Sequence, residues 1–208
     1  MSAAKPFVKV CGLSTAQDVQ TAAAHGADAI GFVLTPSARE ISAQRAAALV
    51  KAVPAGIATV AVFRGEEIQT VLQLAAQAGV SWVQLHGQRT AKDVSTAHEA
   101  GFKVIRAVRR DDPEEQFADW GEDLLLIDAS VPGSGESWDY AAVKDLAAGR
   151  RWLVAGGLSP QNVADALAAS SAFGADVSSG VESSRGVKDP ELIAMFIDAA
   201  KASPIPAR

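Results

Sequence analysis

Short apolar runs recur along the chain at a nearly even interval, and stretches with a helical period separate them. The apolar runs fall at 7–11, 28–33, 57–63, 82–86, 102–108, 123–128, 151–155 and 173–178. Their length and near-continuous hydrophobicity predict buried strands. Ala-rich amphipathic segments at 15–25, 42–52, 66–79, 91–100, 139–148 and 160–171 predict helices, and a further helix runs from about 189 to 201. The connection at 111–120 is short and acidic and has the weakest helical pattern. Helix starts are marked chemically. Thr15 stands three residues before Asp18 and Thr90 three before Asp93, the spacing of a capping box with Asp for Glu. Ser42 precedes another Ala-rich run, and Ser159-Pro160 predicts Pro at a first helical position. Gly26, Gly79 and Gly101 follow helical stretches, as left-handed caps do.

Eight strand–helix units in 208 residues give 26 residues per unit. That period predicts a (β/α)₈ barrel, at the small end of its size range, rather than an open doubly wound sheet. No shift in composition marks a second domain, so residues 1–208 are expected to form one barrel domain with 203–208 as a short tail.

Composition narrows the function. Hydrophobic residues make up 49% and charged ones 21%, as in globular chains. The net charge of −5 argues against nucleic acid as the main partner, though not against a small anion held by local donors. One cysteine leaves no intramolecular disulfide, and no Cys/His cluster has zinc-site spacing, so no metal is expected. The first ten residues carry no leader pattern, and no run approaches the roughly 20 apolar residues of a membrane span. A cytoplasmic protein without membrane partners is the expectation.

In such a barrel the carboxyl ends of the strands converge on one face. In chain order that face offers Cys11, Arg39 in the loop after the second strand, Arg64, His86, Arg106, Asp128, Gly156-Gly157 and Ser178-Ser179-Gly180. Each has a plainer alternative. A lone cysteine is commonly a small buried hydrophobe, but one at a strand end beside Lys9 and Gly12 can be a reactive thiolate. Asp128 closes the run Leu124-Leu125-Leu126-Ile127 and is either a turn former or a carboxyl made acidic-proton-bearing by desolvation. His86 is as well suited to a structural hydrogen bond as to substrate, and Arg39 is either a solvated charge or a fork for a carboxylate. The glycine clusters after the seventh and eighth strands fit a phosphate cradle of backbone N–H groups. Gly133-Ser134-Gly135 reads as a lid or as an ordinary surface loop.

Taken together these stretches resemble the phosphoribosylanthranilate isomerase family over nearly the whole chain. Lys9-Val10-Cys11-Gly12-Leu13 matches the family's opening, and Gly31-Phe32-Val33 with Ser37-Ala38-Arg39 its second strand and loop. Val83-Gln84-Leu85-His86-Gly87 is similar to its fourth strand. Leu126-Ile127-Asp128, Gly133-Ser134-Gly135 and Trp138-Asp139-Tyr140 resemble the sixth strand and lid. Ala155-Gly156-Gly157-Leu158-Ser159-Pro160-Gln161-Asn162 and Asp176-Val177-Ser178-Ser179-Gly180-Val181-Glu182 resemble the seventh and eighth. The wording departs from the family's at 33–36, at Ser134 and at 183–187.

The resemblance implies an Amadori rearrangement in tryptophan biosynthesis, in which the aminoaldose N-(5-phosphoribosyl)anthranilate becomes an aminoketose. It implies Asp128 as general acid and Cys11 as general base. It further implies Arg39 on the anthranilate carboxylate and His86, Gly156, Gly157, Ser179 and Gly180 as substrate-binding, with backbone N–H groups near Gly157, Ser179 and Gly180 on the phosphate. It implies no cofactor and leaves monomer and homodimer open. Rival expectations are an isomerase that also takes the histidine-pathway aminoaldose, which usually employs two aspartates, and a silent barrel that only binds a phosphorylated ligand. A metal-dependent epimerase fits less well, because no pair of strand-end histidines joins carboxylates in a ligand set.

Overall fold

The computed structural model describes residues 5–129, 138–143, 146–147 and 149–204. Eight parallel strands close into a barrel in sequence order: β1 (Phe7–Cys11), β2 (Ala29–Val33), β3 (Ala58–Arg64), β4 (Trp82–His86), β5 (Lys103–Arg109), β6 (Leu124–Asp128), β7 (Trp152–Val154) and β8 (Gly174–Val177). The helices are α1 (Ala16–Ala24), α2 (Ala43–Val50), α3 (Ile68–Ala78), α4 (Ala91–Glu99), α5 (Val163–Ser170) and α6 (Pro190–Ala202). A short antiparallel hairpin, β9 (Glu182–Ser184) and β10 (Val187–Lys188), follows β8.

The period of two along each strand sorts the side chains into two cores. Val8, Val10, Ile30, Phe32, Val83 and Leu85 face outward into the layer shared with the helices. Cys11, Val60, Val62, Leu124, Leu126 and Leu153 face inward. Phe7 and Phe173 stack at 5.9 Å and pack against the inner core. The helix ends follow their chemistry. The Thr15 and Ser42 side chains accept from the N–H groups of Asp18 and Arg45, and Thr90 with Asp93 forms a complete reciprocal box. Gly79 closes α3 at φ +67°, a left-handed conformation that glycine adopts without steric penalty.

Three expectations change. The helix expected at 160–171 begins three residues later: Pro160 sits in a turn, and Asn162 flanks Val163, because Asn162 Oδ1 accepts from Ser159 N at 2.7 Å and closes the turn first. The segment expected as a helix over 139–148 is a single 3₁₀ turn, Tyr140–Val143, among its described residues. The acidic connection also carries only a 3₁₀ turn, Glu114–Phe117.

A fourth change, at Arg106, explains that last turn. Arg106 does not face the barrel mouth. Alternation turns Ile105 and Ala107 inward, so Arg106 points outward and is almost fully buried. Its guanidinium donates to the carbonyls of Gln116 and Ala118 at 2.5 and 2.7 Å and to Glu122 Oε1 at 2.8 Å, and it lies 4.0 Å over the Trp120 ring. Arg150 also donates to Glu122 and, at 2.6 Å, to the Phe117 carbonyl. A buried carboxylate shared by two guanidinium groups thus fastens a connection too short for a helix. Removing one member of such a cluster strands the others in low dielectric. Glu122→Ala is expected to lower unfolding stability by about 3–5 kcal/mol, the range for a broken buried ion pair. Urea denaturation checks it, and a midpoint equal to the parent's refutes it.

Candidate active site

The catalytic rim is built by the closed parallel topology, which brings every strand's carboxyl end to one side. Asp128 ends β6 and lines a cleft with Gly156, Gly157, Asp176, Ser178 and Ser179. Burial pushes the Asp128 carboxyl up to about 6, against the opposing hydrogen bond from Ala129 N. A Cβ at Gly156 would lie 2.8 Å from Asp128 Oδ1 and 2.6 Å from Ala129 N, and its φ is +83°. Glycine is therefore required there by both space and backbone conformation. Tyr140 Oη donates to the Gly156 carbonyl at 2.9 Å and Trp138 Nε1 to that of Ala155 at 3.0 Å, bracing the same strand end.

Gly180 does different work. A Cβ there would fall 1.7 Å from the Leu158 carbonyl oxygen. Only glycine lets the loop after β8 close against the loop after β7, which is how Gly157 and Ser179 come to line one cleft.

Cys11 ends β1 and is 6% exposed, packed within the inner core. Burial pushes its thiol above the usual range; Lys9 and Lys188 pull it back, and Asp176 adds to the rise. Lys9, two residues earlier, also faces inward and is fully buried. Register places it beside Asp176, and its Nζ donates to Asp176 Oδ1 at 2.8 Å. Asp176 lines the cleft together with Asp128, so one carboxylate bridges the buried lysine and the cleft.

Arg39 lies over Gly12, where a Cβ would meet its Cδ at 3.0 Å. Its fork is engaged by Glu182: Nε donates to Oε1 at 2.6 Å and Nη2 to Oε2 at 3.1 Å. Lys188, also buried, donates to Glu182 Oε1 at 2.9 Å and to the Ser178 carbonyl at 2.7 Å, and Ser178 Oγ donates to the Cys11 carbonyl at 3.1 Å. The hairpin β9–β10 thus links the Arg39 loop to the end of β8.

His86 ends β4 and lines a cavity of about 810 Å³ with Arg64, Arg89, Arg109, Asp112 and Gln116. Burial, reinforced by the positive charges of Lys9, Arg64 and Arg89, holds its pKa down at about 3, so the ring is neutral at physiological pH. Its Nε2 lies 2.6 Å from the Gln84 amide nitrogen. Asp128, Gly156, Gly157 and Ser179 therefore line one cleft, Gly180 packs against the Leu158 carbonyl beside it, and His86 lies across the interior, where Lys9 and Arg64 act on both His86 and Asp128. The expected lid at Gly133–Gly135 lies outside the described residues.

Lys9, Asp176, Glu182 and Lys188 are the groups that sequence reasoning passed over as functional candidates. Counting back two residues from Cys11 finds Lys9 on the inward face. The hairpin pair carried a weaker signal, the Arg185-Gly186 turn between two short polar strands.

The chain matches the family model described as N-(5'phosphoribosyl)anthranilate (PRA) isomerase over residues 8–199. It belongs to that family. The N-(5'-phosphoribosyl)anthranilate isomerase of Hyphomonas neptunium is 41% identical over 210 residues, covering 96% of this chain and 99% of that one. The crystal structure of TrpF from Jonesia denitrificans superposes with a TM-score of 0.82 at 43% identity, covering 94% and 96% of the two chains. A phosphoribosyl anthranilate isomerase crystallised with reduced 1-(o-carboxyphenylamino)-1-deoxyribulose 5-phosphate superposes with a TM-score of 0.82 at 33% identity, covering 94% and 98%. The protein is a barrel isomerase of tryptophan biosynthesis, as the resemblance implied. Among its described residues no helix is long and apolar enough to cross a membrane.

The Glu182 cluster gives the barrel an acid-sensitive fastening. Burial pushes the Glu182 carboxyl up, but hydrogen bonds from Arg39, Lys188 and Gly186 N outweigh it and hold the pKa at about 2, below the ordinary 4.5. A carboxyl depressed in the folded state adds stability that is fully present above its unfolded pKa and disappears as pH falls through the folded one. Glu182→Gln is therefore expected to lower stability at neutral pH and to weaken its decline between about pH 4.5 and 2. Urea midpoints measured across that range decide it. Parallel curves for the two proteins would remove Glu182 from the account.

Proposed function

We propose that the protein converts N-(5'-phosphoribosyl)anthranilate to 1-(2-carboxyphenylamino)-1-deoxyribulose 5-phosphate, with Asp128 as general acid and Cys11 as general base. The observation that carries the assignment is the pairing of a carboxyl raised to about 6 with a thiol on the same rim of one barrel. Asp128 gives its proton to the ring oxygen. The C1–O bond breaks, and the anilino nitrogen lone pair forms the C1=N bond. Cys11 then takes the C2 proton, and the electrons left behind make a C1=C2 enolamine. Ketonisation places a proton on C1 and leaves a carbonyl at C2, so hydrogen moves within the substrate and no redox partner enters the balance. Each positioned acid or base contributes about 10²–10⁴-fold.

The cleft of Gly156, Gly157 and Ser179, closed by Gly180, is the seat for the phosphate. Its backbone approaches closely because glycine occupies the tight positions. Arg39 is the group for the anthranilate carboxylate: Glu182 occupies its Nε and Nη2 and fixes the guanidinium plane, leaving its other edge to a second anion. His86, neutral, is suited to hydrogen bonding rather than to supplying charge. A cysteine rather than an aspartate at the end of β1 supports the single-substrate reading over one that includes the histidine-pathway aminoaldose.

The acid has the lower pKa and the base the higher, so the productive form, protonated Asp128 with Cys11 thiolate, is a minor one. Between the two pKa values its population is constant. Below about pH 6 Asp128 is already protonated while thiolate falls tenfold per unit, and kcat/KM falls with it. The expected profile of kcat/KM is therefore a plateau with an acidic limb near pH 6, and Asp128→Asn abolishes that limb along with most turnover. A limb that persists near pH 6 in the Asn variant would reassign the acid. Cys11→Ala is expected to lower kcat by about 10²–10⁴-fold with KM little changed. Turnover of N-(5'-phosphoribosyl)anthranilate by purified protein measures both, and a Cys11→Ala protein with the parent kcat would overturn the assignment of the base.

A further inference from the structure

A fully buried lysine inside the barrel is an expensive placement, and the proposed reaction does not use it. Lys9 and Cys11 lie on the same inward face of β1, two residues apart. Gly31 sits opposite both: a Cβ there would lie 3.0 Å from Cys11 Sγ and 3.3 Å from Lys9 Nζ. The absent side chain at Gly31 leaves open a space that the Lys9 ammonium and the Cys11 sulfur both border. Asp176, register partner of Lys9 on β8, holds the ammonium from the other side at 2.8 Å.

We propose that Lys9, pinned by Asp176, is the positioning residue that supplies the counter-charge to the Cys11 thiolate and so sets how much of the base is available. This rests on the assignment of Cys11 as the base, and it deepens that assignment. Lys9 is not placed against substrate; it acts through the sulfur.

The surroundings leave it that role. Cys11 is faced by Lys9 on its own strand, Asp176 of β8, Lys188 of β10 and Arg39 of the loop after β2. Burial raises the thiol, and Lys9 is the largest of the forces that oppose the rise. Lys9 in turn faces Asp176 of β8, Cys11, His86 of β4 and Asp128 of β6. Burial disfavours its charge, but Asp176 and Cys11 together keep it protonated more firmly than a free lysine. Asp176 by itself would disfavour a thiolate, so its service to the sulfur is indirect: it fixes a cation where a sulfur anion forms. Burial keeps His86 neutral, and the same ammonium adds to that effect together with Arg64 and Arg89.

Cys11 is the protein's one cysteine, so the rate of alkylation by iodoacetamide at fixed pH reports that sulfur alone and needs no turnover. Lys9→Met is expected to slow alkylation at pH 8 by about tenfold or more, the effect of one pKa unit on thiolate fraction. It is expected to lower kcat by a similar factor with KM within about twofold, since substrate contacts are kept. A folded Lys9→Met protein whose Cys11 alkylates as fast as the parent's overturns the proposal. If that variant does not fold, Lys9→Met/Asp176→Asn removes both charges and leaves no buried ion alone. There alkylation is expected to slow by less, because the larger favourable charge and the smaller opposing one go together; an unchanged or faster rate counts against Lys9. A parent protein that fails to isomerise N-(5'-phosphoribosyl)anthranilate would defeat the functional assignment alone, since the alkylation comparison stands without it.

Discussion

Closure of eight parallel strands is the constraint from which the rest follows. Once the sheet closes, every second side chain of every strand is committed to an interior that water does not enter, and every carboxyl end is committed to one rim. The lower interior meets that constraint with Leu124, Leu126, Leu153 and the Phe7–Phe173 stack. Near the rim it is met instead with Lys9, Gln84 and Asp176, groups that a purely structural barrel has no need to bury. Buried charge in this upper layer is what distinguishes a working interior from a packed one.

The two halves of the site are held differently. The side of the loops after β7 and β8 is fixed by close backbone approach, in which Gly156 makes room for Asp128 and Gly180 for the Leu158 carbonyl. The other side is fixed by charge, through Arg39, Glu182 and Lys188. Backbone contacts of the first kind do not respond to pH, whereas the second kind rests on a carboxyl that titrates. Asp128 stands where the two meet, buried enough to hold its proton to about pH 6.

Most of the fold was legible because strand signals in a closed parallel sheet are strong: β1 and β4 run over the residues their apolar pattern predicts. Where the sequence misled, a local competitor had won. Asn162 captured the Ser159 amide and delayed α5 past Pro160. Arg106 looked like a rim residue because it lies near the end of an apolar run, but β5 continues to Arg109, and alternation sends Arg106 outward to Trp120 and Glu122. The candidate chemistry was legible wherever a residue type is rare on its strand, as with Cys11 and Asp128. It was not legible where function depends on a partner far away in the chain. Nothing near Arg39 announces Glu182, 143 residues on, and nothing near Lys9 announces Asp176, 167 residues on. Those pairings are products of closure, which makes neighbours of β1 and β8.

The run of polar contacts from Arg39 through Glu182, Lys188 and Ser178 to the Cys11 carbonyl ties the Arg39 loop and the end of β8 to the strand that bears the sulfur. On the proposed role of Arg39, a laboratory selection for a different aromatic acid would begin by rewriting its loop. Each such change would tug on the end of β8 and on the strand beneath the thiol. Retooling this barrel for new cargo is thus a matter of compensating sets of exchanges, and the hairpin at 182–188 is where the matching exchanges belong.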